Sequence, residues 1–224
     1  RKKEIFEVNE KILLRQTGAY PICTIDNEML YTLDTVHNGL LIDNDFNSKY
    51  ILALLNSKLF KFLYENSINE SGKVFAQVKI IYIDPLPIKP ISHSAQTLFV
   101  DKAQDMMVIS ESFVKTSSQL YDLLSSKFGS SNISNKLKKW YVLEFAEFFK
   151  ELEKSRKAAD KENETGYNKL SLTDETEWMQ YFKVQKENSG IIKRQIKVID
   201  KQIDQLVYEL YGLTKEEIQI VENS

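Results

Sequence analysis

Few strings in this 224-residue chain have the residue types and spacing for chemistry. Glu151-Leu152-Glu153-Lys154 carries the acid-x-acid-lysine order of a nuclease site. No Pro-Asp pair on a strand precedes it, and it falls on a predicted helix face, where Glu and Lys three or four apart form solvated pairs. Ser71-Gly72-Lys73 could touch a phosphate, yet the rest of a phosphate-binding loop is missing. Base methylation would need a Gly-rich turn for the cofactor and an Asn/Asp-Pro-Pro-aromatic loop for the base. The seven glycines include no G-x-G, and no such proline loop occurs. His37 and His93 are far apart, and no Cys/His cluster has zinc-ligand spacing. Cys23 stands alone between Ile22 and Ile25, which predicts a buried structural thiol. These residues therefore read as non-catalytic, with no metal site and no cofactor of their own.

The totals bound the rest. A chain of 26.1 kDa with 42% hydrophobic and 28% charged residues is ordinary for a soluble protein and long enough for two domains. No apolar run is long enough to cross a bilayer. The opening Arg1-Lys2-Lys3-Glu4 leads into a polar segment rather than a signal core, so a cytoplasmic location is expected. A net charge of -2 and a pI near 5.9 argue against coating nucleic acid through bulk positive charge. Residues 1–90 hold eleven basic and eleven acidic side chains, so no half is markedly basic.

Short strands are expected at Lys11 to Gln16, Tyr20 to Ile25, Met29 to Leu33 and Val36 to Ile42, each bounded by Gly, Pro, Asp or Asn. Asn47 or Ser48 can cap a helix in which Ile51, Leu54, Leu55, Leu59, Phe62 and Leu63 recur at helical spacing. Val74 to Ile83 reads as a further strand ended by Asp84-Pro85-Leu86-Pro87. Beyond residue 90 three helical stripes follow: Phe99 to Leu124, Leu137 to Leu152, and Ile192, Ile196, Ile199, Ile203, Leu206, Leu210. Phe128-Gly129-Ser130-Ser131 separates the first two, and the charged Ala159 to Asn168 reads as a loop. At the end, Gly212 suits a helix stop, and Thr214 with Glu217 makes a capping box for a last helix. The expected fold class is α+β: a small twisted mixed β-sheet domain with a packed helix over residues 1–90, then a bundle of three or four helices over residues 91–224.

Several of these strings also carry a resemblance. The closing Ile203-Asp204-Gln205-Leu206-Val207-Tyr208-Glu209-Leu210-Tyr211-Gly212-Leu213-Thr214 resembles the end of TaqI-like, type IIG restriction-modification proteins. Lys11-Ile12-Leu13-Leu14-Arg15-Gln16-Thr17-Gly18 resembles the first strand of their specificity domain, and Tyr50-Ile51-Leu52-Ala53-Leu54-Leu55-Asn56-Ser57-Lys58-Leu59 its helix. Gly72-Lys73-Val74-Phe75 and Leu86-Pro87-Ile88 follow in the same order, and the resemblance runs over nearly all of residues 11–222. It implies a target-recognition region that holds double-stranded DNA against an adenine-type methyltransferase domain of the same chain, outside these residues. That domain would use S-adenosylmethionine, with magnesium if the parent also cleaves. Type I specificity-subunit recognition domains share the helix, the proline exit and a long helix with Gln96 near its start. A helical protein-interaction module, motivated by the Ile192–Leu210 seam, is the alternative from another class; the sequence fixes no oligomeric state.

Base-reading side chains project from loops or strand ends and offer paired donors or acceptors, Arg to guanine and Asn or Gln to adenine, with Lys on phosphates. Within the resemblance this selects Arg15, Gln16, Thr17, Asn44, Asn47, Lys73, Gln77 and Lys79. The plain alternative for Gln77 and Lys79 is the solvent face of a half-buried strand.

Overall fold

The computed structural model describes residues 3–68, 77–163 and 166–224. The chain forms two compact units, Arg1–Met107 with Val198–Ser224, and Val108–Lys197. The composition change near residue 90 lies within the first unit, because the ends of two long helices share its core. The fold is α+β with predominant helix.

In the first unit, strands β1 (Lys11–Arg15), β2 (Cys23–Asp26) and β3 (Val36–Gly39) form a sheet of order β2-β1-β3. Both pairings are antiparallel, where a mixed sheet was expected. Alternation in β1 sends Ile12 and Leu14 into the core and leaves Arg15 exposed at its end. Met29 to Leu33 is not a strand. The Asp26 carboxylate accepts from the backbone N–H of Glu28 (2.8 Å) and Leu30 (2.9 Å), which curls the chain, and Met29 between them has φ of 55°. Val36 to Ile42 pairs only through Gly39. Nor do the described residues of Val74 to Ile83 form a strand: Gln77 makes one isolated bridge, and Ile80–Tyr82 is a 3-10 turn ahead of Pro85. Residues 69–76 lie outside the described segments.

The leucine stripe after residue 47 builds two helices rather than one, α1 (Ser48–Asn56) and α2 (Lys58–Ser67). The break resides in Asn56-Ser57-Lys58. Ser57 is extended (φ -71°, ψ 156°), donates from Oγ to Leu54 O (2.7 Å) and accepts from Phe60 N, so one hydroxyl ends α1 and caps α2. Asn56 Oδ1 accepts from Cys23 N (2.8 Å) and its Nδ2 donates to Cys23 O (3.0 Å), tying α1 to β2. Lys58 N donates to Asp204 Oδ1 at 2.8 Å, and Lys58 Nζ pairs with Glu222. Each member of this tripeptide is thus a fastener. Replacing Ser57 by alanine should lower stability by about 1 kcal/mol, read as a shift in the urea midpoint, the usual cost of a lost cap; an unchanged midpoint would show the break to be held by packing alone.

The proline exit is held in the same manner. Tyr50 Oη donates to Lys89 O (2.6 Å), Tyr211 Oη to Pro87 O, and Lys89 Nζ to Leu210 O (2.7 Å). Helix α3 (His93–Phe128) is then anchored in its first turn by Gln96, a buried side chain that donates to Asp45 O and Ile91 O and accepts from Asn47 N. Phe99 and Ala103 of α3, and Ile203, Val207 and Tyr208 of the later α6 (Leu172–Tyr211), join Tyr50, Leu54 and Phe60 in one core. Part of the isoleucine seam, Ile199 to Leu210, therefore packs inside this unit. Gly212, at φ 69°, closes α6: its N–H reaches Glu209 O and that of Leu213 reaches Tyr208 O, the paired bonds of a left-handed helix stop. Thr214 and Glu217 form the expected capping box of α7 (Lys215–Glu222).

In the second unit the Leu137-to-Leu152 stripe is split into α4 (Asn135–Lys138), a 3-10 turn at Trp140–Val142 and α5 (Phe145–Asn163). Residues 159–163, expected in a loop, complete α5. Trp140 is fully buried among Leu120, Leu124, Leu137, Phe148 and Phe182, and its Nε1 donates to Ser117 O at 3.0 Å.

Candidate nucleic-acid interface

The end of β1 continues as Gln16 and Thr17 into the turn toward β2. Gln16 N donates to Thr35 O (2.9 Å), and Gln16 O accepts from Val78 N (2.6 Å), while Thr17 bridges Gln77. The segment around residue 78 is thereby stitched beside the strand end. Val78 is buried at 1% exposure, and strand-like alternation turns its neighbours Gln77 and Lys79 outward. Lys79 N donates to Tyr64 Oη at 3.0 Å, which fixes the backbone under its side chain.

The segments that carry five of the sequence candidates thus lie side by side: Arg15, Thr17, Gln77 and Lys79 are exposed on the outward face, while Gln16 is half-buried and alternates toward the Leu14 side. The guanidinium of Arg15 lies against Gly18: a Cβ there would come within 2.7 Å of Nη2, so the glycine leaves room for this arginine position. Lys61, which sequence reasoning missed, reaches from α2 to stand 4.3 Å over the ring of Tyr20 in the same turn region. Its position depends on how α2 crosses the β1–β2 turn, which no local pattern encodes. The surface combines cations suited to phosphates with amides suited to adenine edges.

Asn44 and Asn47 are elsewhere. They precede α1, whose Ser48 Oγ donates to Glu10 at the opposite end of β1; at about 3.4 Å per residue, Glu10 and Thr17 are separated by roughly 24 Å of extended chain. Asn47 Oδ1 accepts from Lys49 N (2.9 Å) as the cap of α1, so that oxygen is committed to the fold. Asn44 is exposed in a turn between Asp43 and Asp45, charges that repel a phosphate. Lys73 lies outside the described residues.

Cys23 is buried, and burial pushes its thiol up to about 12. Among the described residues no group of three or more His, Cys, Asp or Glu side chains is placed to hold a metal ion, and no helix is long and apolar enough to cross a membrane.

Comparison with known proteins gives two family matches. Residues 1–88 match the TaqI-like C-terminal specificity domain, the segment that contains the surface above, and residues 92–207 match a domain of unknown function (DUF8810). The specificity match is narrower than the resemblance read along residues 11–222. No curated protein and no solved structure matches. A specificity domain of this kind carries a DNA-recognition role in restriction-modification systems and is not itself catalytic. The chain belongs to the family of that domain of unknown function, and its residues 1–88 are a TaqI-like C-terminal specificity domain.

Proposed function

We propose that this chain holds duplex DNA for an adenine-type methyltransferase domain of the same protein, in a type IIG-like enzyme of the cytoplasm. S-adenosylmethionine would be bound by that other domain, as would magnesium in a parent that also cleaves. The task of the present residues is recognition: Arg15, Gln16, Thr17 and Gln77 address base edges, and Lys79 and Lys61 neutralise phosphates.

The observation that carries this reading is the Thr17–Gln77 bridge, which joins two candidate segments sixty residues apart into one cationic and amide-bearing surface at a strand end. Alternation alone would turn polar residues outward without gathering them. Binding of a labelled mixed-sequence duplex at low salt, followed by anisotropy, tests it. The double variant Arg15→Gln/Lys79→Gln should bind at least about ten-fold more weakly, since a base-edge or phosphate contact by such a group is worth roughly 1–3 kcal/mol. Unchanged affinity in the double variant would remove these residues from the interface.

A further inference from the structure

Helix α6 carries a second charged surface, in the unit formed by residues 108–197 and outside the specificity domain. Between Lys183 and Lys197 there are five basic residues and one acidic, in a chain whose net charge is -2. Their spacing is decisive. At 100° per residue, Lys183, Lys186, Gly190, Arg194 and Lys197 fall within about 60–80° of one another on a single face. Lys183, Arg194 and Lys197 are exposed; Lys186 is partly engaged, donating to Leu143 O (2.8 Å) and pairing with Glu144 (2.6 Å). A groove of about 450 Å³ is lined by Lys183, Lys186 and Arg194 together with Phe145, Phe182, Glu144 and Glu187.

Gly190 sits in the middle of this face, and the fold does not require a glycine there. Its φ is not in the left-handed region, and a Cβ would meet nothing closer than Arg194 Nη1 at 3.6 Å, an ordinary contact. Glycine inside a helix costs about 1 kcal/mol relative to alanine. What it supplies is a gap in the side-chain layer between two basic pairs, Lys183 with Lys186 and Arg194 with Lys197. The pairs are about 16 Å apart along the helix at 1.5 Å per residue. A sugar-phosphate strand crossing the helix at the gap would meet cations on both sides and could approach the backbone.

We propose that this face of α6 is a second contact surface for the phosphate backbone of duplex DNA, so that the residues matching the domain of unknown function bind nucleic acid directly rather than only supporting the specificity domain. The proposal rests on the DNA-recognition reading above. It assigns no base specificity to the helix: its cations are positioned to anchor the duplex, and sequence is read elsewhere.

The test uses the intact chain, a labelled mixed-sequence duplex and a titration of sodium chloride. Lys183→Gln/Arg194→Gln/Lys197→Gln should weaken binding at least ten-fold at low salt and reduce the magnitude of the log-log salt slope by about 2–3, near 0.9 per lost phosphate contact. Gly190→Gln should weaken binding while leaving or raising thermal stability, a combination that helix damage would not give. Lys150→Gln/Lys161→Gln/Lys169→Gln, three exposed residues of the same unit, removes equal charge and should change the slope little. If the α6 triple variant behaves like that control while Arg15→Gln/Lys79→Gln loses binding, the α6 surface is overturned and the recognition reading stands. If the unmodified chain binds no duplex at low salt, both are overturned.

Discussion

Lys11→Met is expected to cost about 3–5 kcal/mol, the range for removing one partner of a buried ion pair. Lys11 and Asp26 face each other across β1 and β2, and their side chains are 0% and 1% exposed with Nζ 2.5 Å from Oδ2. The ammonium also donates to Phe6 O at 3.0 Å, so one cation ties the chain before β1 to the sheet. Methionine fills much of the same space but leaves the carboxylate without its counter-charge. Burial pulls the Asp26 carboxyl upward, while Lys11 and the N–H groups of Glu28 and Leu30 hold it below its ordinary value on balance. In the wild type that depressed group contributes stability above the unfolded-state value near 3.8 and loses it as pH falls through the lower folded value. The variant should behave oppositely. With the lysine gone, burial dominates, Asp26 moves above its ordinary value, and acid relieves part of the damage. Urea midpoints at neutral and mildly acidic pH measure both effects, and a midpoint equal to wild type at pH 7 would contradict the account.

How much of this fold was legible follows from where its instructions are local. β1 and the beginning of β3 announce themselves by alternation, and the Gly212 stop and Thr214 cap are written in adjacent residues. The break at Ser57 was hidden because the leucine stripe continues in phase through it; only the two bonds of a serine hydroxyl interrupt the helix. Met29 to Leu33 has strand composition, but the neighbouring Asp26 takes the N–H groups of Glu28 and Leu30 and curls the chain where that strand would begin. Ile80–Tyr82 likewise has strand residues without a partner edge and turns toward the prolines.

The site divides in the same way. Which residue types could meet DNA was readable, since donors and acceptors belong to the side chain. Their gathering was not, because the Thr17–Gln77 bridge depends on register between segments distant in sequence. Lys61 was missed for that reason, and the α6 face because charge counted over halves of a chain dilutes a stripe of five residues on one side of a helix. The motif residues of the resemblance turned out to be fasteners. Asn56, Ser57, Lys58, Gln96 and Tyr211 all spend their polar groups on backbone or side chains of the first unit. They hold the scaffold that carries the surface around Thr17 and Gln77.

Asp204, in the closing motif, carries the second large effect. Its Oδ1 accepts from Lys58 N at the start of α2, its Oδ2 has no hydrogen-bond partner among the described residues, and the residue is 3% exposed. Burial pushes the carboxyl from 3.8 up to about 6, against the pull of the Lys58 N–H, with Asp200 adding to the rise. A raised folded value means that the folded state binds the proton more tightly than the unfolded one. Stability from this group is therefore fully present below about 4 and is lost as pH rises through about 6, up to about 3 kcal/mol at 1.36 kcal/mol per unit. Glu222, held below its ordinary value chiefly by Lys58, and Asp26 contribute the opposite slope, so the total pH profile does not isolate the effect. The difference between wild type and Asp204→Asn does. Asparagine keeps an oxygen for Lys58 N and removes the buried charge, so the variant should be the more stable at pH 8, by up to about 3 kcal/mol, with the advantage shrinking toward zero near pH 4. Urea unfolding at the two pH values reads this directly. An Asn variant that is less stable than wild type at pH 8 would mean that the charge of Asp204 at the α2 N-terminus stabilises more than its burial costs, and the terminal motif would then owe its aspartate to that helix.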